Sequence, residues 1–143
     1  MSIQRLYTAH AKATGGRDGR AVSSDNVIDL PLSTPKEMGG AGKTGSTNPE
    51  QLFAAGYSAC FDGALNLVAR LEKTPITGST VAADVSFGKD GEAFSLAVDL
   101  TVNIPNLDQA QAEALVAKAH QVCPYSRATR GNIEVNLTTT TNA

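Results

Sequence analysis

The stretch from Thr47 to Lys73 constrains the fold most, because its pattern predicts one long amphipathic helix with a cysteine near its middle. Apolar and small residues recur at spacings of three and four, the period of one helix face. Pro49 suits the first helical turn, where a missing N–H costs no hydrogen bond, and Thr47 and Glu50 fit a capping box. The residues predicted on the buried face are Leu52, Phe53, Gly56, Ala59, Cys60, Gly63, Ala64, Leu67, Val68 and Leu71.

Two glycines on this face carry information about packing. Gly56 and Gly63 each weaken a helix interior by roughly 1 kcal/mol relative to alanine. Because both share the face of Cys60, we expect another element to approach the helix closely there.

The composition limits the classes of protein. A length of 143 residues predicts a single domain over 1–143, and a net charge of −2 gives no basic surface for nucleic acid. We expect no membrane span, since no apolar run approaches roughly 20 residues, and the N-terminus leads into a strand pattern instead of a signal peptide. Two cysteines cannot form a disulfide framework, so we expect a cytoplasmic protein whose thiols do redox chemistry.

The rest of the chain predicts an α+β fold. Alternating patterns indicate three strands before the long helix, two after it and one near the C-terminus, with a glycine-rich loop over 33–46. A second helix is predicted from about Asp108 to Val122 with an Asp108/Gln111 capping pair, followed by a helical turn over 125–130. Strands and helices that follow one another in separate groups along the chain are typical of helices packed on a mostly antiparallel sheet. The predicted strands are 6–14, 20–24, 27–32, 80–87, 93–103 and 133–137.

Cys60 needs a positive charge to be reactive. Free cysteine titrates near pH 8.5, burial raises that value, and Cys60 lies too deep in its helix for the macrodipole to acidify it. Arg17, in the glycine-rich turn 15–19, is the first candidate cation, and Glu50 can orient it through a bidentate pair. The other candidate cations are Arg20, Arg127 and Arg130.

Cys123 is the second candidate thiol. It lies where one helix ends and Pro124 begins the next turn, so it can receive N–H groups, and position alone does not decide which cysteine is the nucleophile. If the two sulfurs meet, peroxide can oxidise one to a sulfenic acid and the other can condense with it. The alternatives are a redox sensor or thiol-binding module without turnover, and a structural protein with inert thiols.

No metal or cofactor site is expected. His120 and Cys123 have a spacing typical of zinc ligands, but Cys60 and His10 are the only other soft ligands in the chain. A closed four-ligand zinc site is therefore not predicted.

Three motifs carry a resemblance to a known family. They are Thr14-Gly15-Gly16-Arg17-Asp18-Gly19-Arg20, the run from Asn48 to Cys60, and His120-Gln121-Val122-Cys123-Pro124-Tyr125-Ser126. In combination they closely resemble the organic hydroperoxide resistance proteins, within the wider family named for osmotically inducible protein C.

The resemblance implies a thiol-dependent peroxidase that acts on organic hydroperoxides. Cys60 is then peroxidatic, Cys123 is resolving, and Arg17 with Glu50 forms the activating pair. It also implies an intertwined homodimer with sites at the subunit interface, and reduction by a lipoyl-type dithiol such as dihydrolipoamide. The residues expected to line an apolar substrate pocket are Leu52, Phe53 and Tyr125.

Overall fold

A computed structural model describes residues 2–143, which divide into two compact units on either side of the Pro49–Glu50 bond. The first unit contains a three-stranded antiparallel sheet in the order β1-β2-β3. Its strands are β1 (Ala11–Thr14), β2 (Arg20–Ser23) and β3 (Asp29–Pro31). Two short 3-10 turns, Gly16–Asp18 and Lys36–Met38, follow β1 and β3.

The second unit contains the other three-stranded sheet and the helices. Strands β4 and β5 are antiparallel and joined by a two-residue turn with Gly91 at a φ of 64°, whereas β6 runs parallel to β5. The strands are β4 (Thr80–Asp90), β5 (Ala93–Asn103) and β6 (Glu134–Thr140). The helices are α1 (Pro49–Leu71), α2 (Gln109–Val122) and α3 (Pro124–Thr129).

The core of the second unit lies between β5, α1 and α2. Alternate residues of β5 and the residue after it point inward, because strand side chains alternate between faces. The helices contribute positions three and four apart for the corresponding reason. The buried side chains include Val98, Leu100, Val102 and Ile104 from the sheet side, Tyr57, Phe61, Leu65 and Val68 from α1, and Ala112, Leu115, Val116 and Ala119 from α2.

The predicted α+β class and element order are confirmed, with differences at some boundaries. Helix α1 begins at Pro49, and Asp108 caps α2 by accepting the Gln111 N–H at 3.2 Å. The first strand is shorter than the predicted 6–14, because Ala11–Thr14 already pairs with all four residues of β2.

The buried face of α1 differs from the predicted one. Ala59, Gly63 and Leu71 are exposed, although the spacing placed them inward. The large rings of Tyr57 and Phe61 are fully buried instead, so the inward face lies about one residue further round the helix. A small residue satisfies the period as well as a large one, but the larger apolar area decides which side faces the core.

Helix α1 also corrects the expectation about apolar runs. Its 23 residues include a window of mean hydropathy 1.3, long and apolar enough to cross a membrane by length and composition. The expectation that no run approaches this length is wrong. Because the core helix of a soluble protein passes the same criterion, and α1 supplies much of the buried core, we interpret it as a core helix.

Candidate active site

The two cysteines of the chain meet within the second unit. Cys60 lies in α1, Cys123 lies between α2 and α3, and their Sγ atoms are 3.6 Å apart. Both are free thiols, and the Cys123 S–H donates to the Cys60 sulfur. A disulfide bond is about 2.05 Å long, so a short side-chain movement joins these sulfurs.

The chain direction at Cys123 explains how its thiol reaches α1. The Cys123 N–H ends α2 by donating to the Ala119 carbonyl at 2.8 Å, and its carbonyl accepts the Arg127 N–H of α3 at 3.0 Å. Pro124 lacks an N–H and cannot continue α2, so a new helix starts there. Hydrogen bonds to both α2 and α3 therefore fix the backbone at Cys123, and its side chain is fully buried.

The surroundings of Cys60 oppose ionisation. Burial raises the pKa of the Cys60 thiol, a hydrogen bond from the Tyr125 backbone N–H lowers it, and the neighbouring Cys123 raises it further. The net direction is upward from the ordinary value. A thiolate at neutral pH therefore requires a positive charge, as the sequence argument holds.

The N–H groups at the start of α3 serve a different thiol from the one considered in the sequence. Cys123 caps α3 in backbone geometry, but its side chain accepts no capping hydrogen bond. The Tyr125 N–H instead lowers the pKa of Cys60, which belongs to α1. Sequence position alone cannot show this, because the acceptor is 65 residues away in the chain.

Three aromatic rings form a cluster near the thiols. Phe53, Tyr57 and Tyr125 have ring centroids 5.8–6.1 Å apart in tilted and edge-on arrangements. Tyr125 is 40% exposed, while Phe53 and the adjacent Leu52 are half-buried. Of the three residues predicted to line a pocket, Phe53 and Tyr125 thus lie in direct contact.

A buried polar network lies behind this cluster. Tyr57 Oη bonds to Ser126 Oγ at 2.8 Å and to Thr129 Oγ1 at 3.0 Å, and His120 Nδ1 bonds to Ser126 Oγ at 2.9 Å. Burial, and secondarily the charge of Arg130, lower the pKa of His120. The sequence analysis places His120 and Ser126 in one motif and weighs His120 as a zinc ligand, but it does not identify this network. A tyrosine one turn from Cys60 was the available signal, since a buried tyrosine hydroxyl usually finds a partner.

Arg17 lies in the Gly16–Asp18 turn of the first unit and is half-buried. The turn is fixed to the following loop, because the Asp18 carboxylate accepts the Thr34 N–H at 2.9 Å and the Thr34 hydroxyl at 3.1 Å. Glu50 lies in the first turn of α1. The pairing of Arg17 with Glu50 stays a prediction.

Two of the rival cations are engaged elsewhere. Arg20 forms an ion pair with Asp29 at 2.5 Å, and Arg130 donates to the His120 carbonyl at 2.7 Å. The third rival, Arg127, is an exposed residue of α3.

Comparison with known proteins adds to this geometry. The OsmC-like protein family matches residues 40–138, which include both cysteines. An organic hydroperoxide resistance protein from Xanthomonas axonopodis pv. citri (strain 306) is 58% identical over 134 residues, covering 93% of this chain and 94% of the relative. The chain belongs to the OsmC-like family.

Further relatives agree on the branch of the OsmC-like family. Organic hydroperoxide resistance protein OhrA of Bacillus subtilis (strain 168) is 48% identical over 136 residues, covering 94% of this chain and 96% of OhrA. The crystal structure of an organic hydroperoxide resistance protein from Elizabethkingia anophelis superposes with a TM-score of 0.92 at 50% identity, covering 98% of this chain and 100% of that one. The predicted resemblance is confirmed, and these homologues support a role in organic hydroperoxide resistance and the oxidative stress response.

Proposed function

We propose that this protein is a thiol-dependent peroxidase that reduces organic hydroperoxides to alcohols. The observation that carries the proposal is the 3.6 Å approach of two free thiols, one half-buried and one fully buried. The names of the relatives, which refer to organic hydroperoxides, support the substrate class.

In the first step, the Cys60 thiolate attacks the terminal oxygen of the hydroperoxide. The sulfur donates an electron pair, the O–O bond breaks, and the departing alkoxide takes a proton to become the alcohol. Cys60 is left as a sulfenic acid. Cys60 suits this role better than Cys123, because Cys60 is half-buried whereas Cys123 is fully enclosed.

In the second step, the Cys123 thiol attacks the Cys60 sulfenic acid. An S–S bond forms and water leaves. An external dithiol, for which dihydrolipoamide is our candidate, then reopens the disulfide by exchange and is itself oxidised to a cyclic disulfide. The cycle restores both thiols.

Arg17 is the proposed activating cation. Its guanidinium stabilises the Cys60 thiolate and then the charge that develops on the departing alkoxide, while Glu50 orients it through a bidentate pair. By analogy with a well-placed oxyanion donor, the second effect is worth about 2–4 kcal/mol. The raised pKa of Cys60 makes such a charge necessary at neutral pH.

The proposed pocket explains a preference for organic substrates. Phe53 and Tyr125 contact one another, Phe53 lies in the same helix as Cys60, and we add Leu52 from the same turn of α1 as Phe53. An alkyl chain gains free energy by leaving water for such a surface, whereas hydrogen peroxide has no apolar part.

The assembly and cellular location are also proposals. We propose one domain over 1–143, a homodimer with intertwined subunits, and a cytoplasmic location where cellular dithiols keep both cysteines reduced. Size-exclusion chromatography with light scattering tests the dimer, and a monomer at micromolar concentration contradicts it.

The decisive experiment measures hydroperoxide consumption with dihydrolipoamide in excess. We expect many turnovers with tert-butyl or fatty-acid hydroperoxide, much slower turnover with hydrogen peroxide, and none by Cys60→Ser. Stoichiometric oxidation without turnover favours a sensor, and retained turnover by Cys60→Ser removes Cys60 from the mechanism.

A further inference from the structure

The buried polar network forms one continuous chain of hydrogen bonds. Tyr57 Oη bonds to both Thr129 Oγ1 and Ser126 Oγ, and Ser126 Oγ also bonds to His120 Nδ1. The Thr129 hydroxyl also lies 3.3 Å from the Ser126 carbonyl, which can only accept. The chain therefore links α1, α2 and α3 through side chains.

This network connects the three helices that carry the reacting groups. Tyr57 lies three residues before Cys60 in α1, and His120 lies three residues before Cys123 at the end of α2. Such spacing places each polar residue about one turn from a sulfur. Ser126 directly follows Tyr125, whose backbone N–H lowers the pKa of Cys60.

Helix α3 depends on these bonds for its position. Its buried residues are Ser126 and Thr129, both hydroxyl residues. A six-residue helix is too short to be stable by itself. The hydrogen bonds to Tyr57 and His120 therefore hold its inward side, while the Tyr125 ring packs on Phe53 and Tyr57.

We propose that Tyr57 and His120 are positioning residues, which hold α3 and the preceding Cys123 through Ser126 so that the Cys123 thiol meets the Cys60 sulfur. The inference rests on the proposed function only in taking Cys60 as the reacting thiol. Neither residue needs to touch the hydroperoxide.

The test measures Cys60 without using peroxide. Reduced wild-type, Tyr57→Phe and His120→Ala proteins are alkylated with iodoacetamide across pH 5–10, and mass spectrometry quantifies the Cys60 adduct. A pKa increase of about one unit corresponds to a tenfold slower reaction at neutral pH, which we expect for both variants. Equilibration with reduced and oxidised glutathione should also show a several-fold lower fraction of the Cys60–Cys123 disulfide.

Matched variants separate positioning from general destabilisation. Tyr7→Phe removes the same hydroxyl from an exposed tyrosine and should leave Cys60 unchanged. His120→Asn retains an N–H donor in nearly the same place and should restore most of the reactivity lost in His120→Ala. His120 is half-exposed, so its substitution should disturb folding less than Tyr57→Phe. The His120 variants therefore provide the test if Tyr57→Phe does not fold.

Specific outcomes contradict the inference. It is overturned if Tyr57→Phe or His120→Ala lowers the melting temperature but leaves the Cys60 pKa and the disulfide equilibrium unchanged, or if His120→Asn behaves like His120→Ala. A wild-type protein that consumes no hydroperoxide contradicts the proposed function, while the alkylation comparison still decides the positioning roles.

Discussion

Gly56 lies directly against the phenol ring of Tyr125. A Cβ added at Gly56 would lie 3.0 Å from Tyr125 Oη and 3.3 Å from Cε2, closer than side chains normally pack. The absence of a side chain therefore lets the ring that follows Cys123 and Pro124 rest on α1. At Gly63, two turns later, an added Cβ would meet no described atom within 4 Å apart from its chain neighbours and the backbone of its own helix.

The two glycines should respond differently to alanine. Gly63→Ala should stabilise the protein by about 0.5–1 kcal/mol, because alanine loses less conformational freedom in a helix interior. Gly56→Ala should lose most or all of that gain by displacing Tyr125. Urea unfolding of both variants checks the difference, and equal stabilisation by the two substitutions contradicts the close approach.

Replacing the proposed resolving thiol should separate the two oxidation steps. Cys123→Ser should react with one equivalent of organic hydroperoxide at a rate within a fewfold of wild type, because the substitution leaves Cys60 and the proposed activating residue Arg17 unchanged. The sulfenic acid should then persist, since its partner 3.6 Å away is gone. Trapping with dimedone and mass spectrometry detects it, and an intramolecular disulfide in wild type serves as the control. Loss of the first oxidation would make Cys123 the nucleophile.

Removing the proposed activating charge should change the pH dependence of the first step. Burial raises the pKa of the half-buried Cys60, so without a cation its rate of oxidation should keep increasing with pH above 8.5. The rate of Arg17→Met should show this continued increase, whereas the wild-type rate should reach its plateau at a lower pH than that of the variant. The measurement is stopped-flow oxidation by tert-butyl hydroperoxide from pH 5 to 10.

Arg20→Met is the matched control for Arg17→Met. Arg20 is exposed and paired with Asp29, and an exposed pair contributes at most about 1 kcal/mol to stability. Its pH profile should match wild type. A shifted profile for Arg20→Met with an unchanged one for Arg17→Met would assign the activating role to Arg20.

The sequence predicts the fold where a pattern is long and local. The period of α1, its start at Pro49 and the Asp108 cap depend on neighbouring residues, and each appears where expected. The face of α1 was predicted less well, because Ala59 and Gly63 fit the period but bury little area compared with Tyr57 and Phe61. Periodicity locates a helix more reliably than it identifies which side packs.

The site shows the same division between local and distant information. The spacing around Cys123 predicts a helix junction, and the junction exists. The approach of the two sulfurs and the bonds from Tyr57 to α3 depend on packing between residues that are 63 to 72 positions apart. Such contacts have no local pattern, so His120 was interpreted from its spacing to Cys123 and its bond to Ser126 was missed.

The turn that carries Arg17 should respond to acid through Asp18. Hydrogen bonds from the Thr34 N–H and hydroxyl, and secondarily the charge of Lys43, lower the pKa of Asp18 from 3.8. Because the folded value is the lower one, the stabilisation is fully present above pH 3.8 and is lost as the pH falls through the folded pKa. Thr34→Val removes the hydroxyl donor, so the Asp18 midpoint should move upward toward 3.8. Carboxyl-carbon NMR titration measures it, with Asp25 as internal control, because the Ser23 hydroxyl and the Val27 N–H hold its pKa down independently of Thr34. An unchanged Asp18 midpoint in Thr34→Val would show that the hydroxyl does not anchor the Arg17 turn.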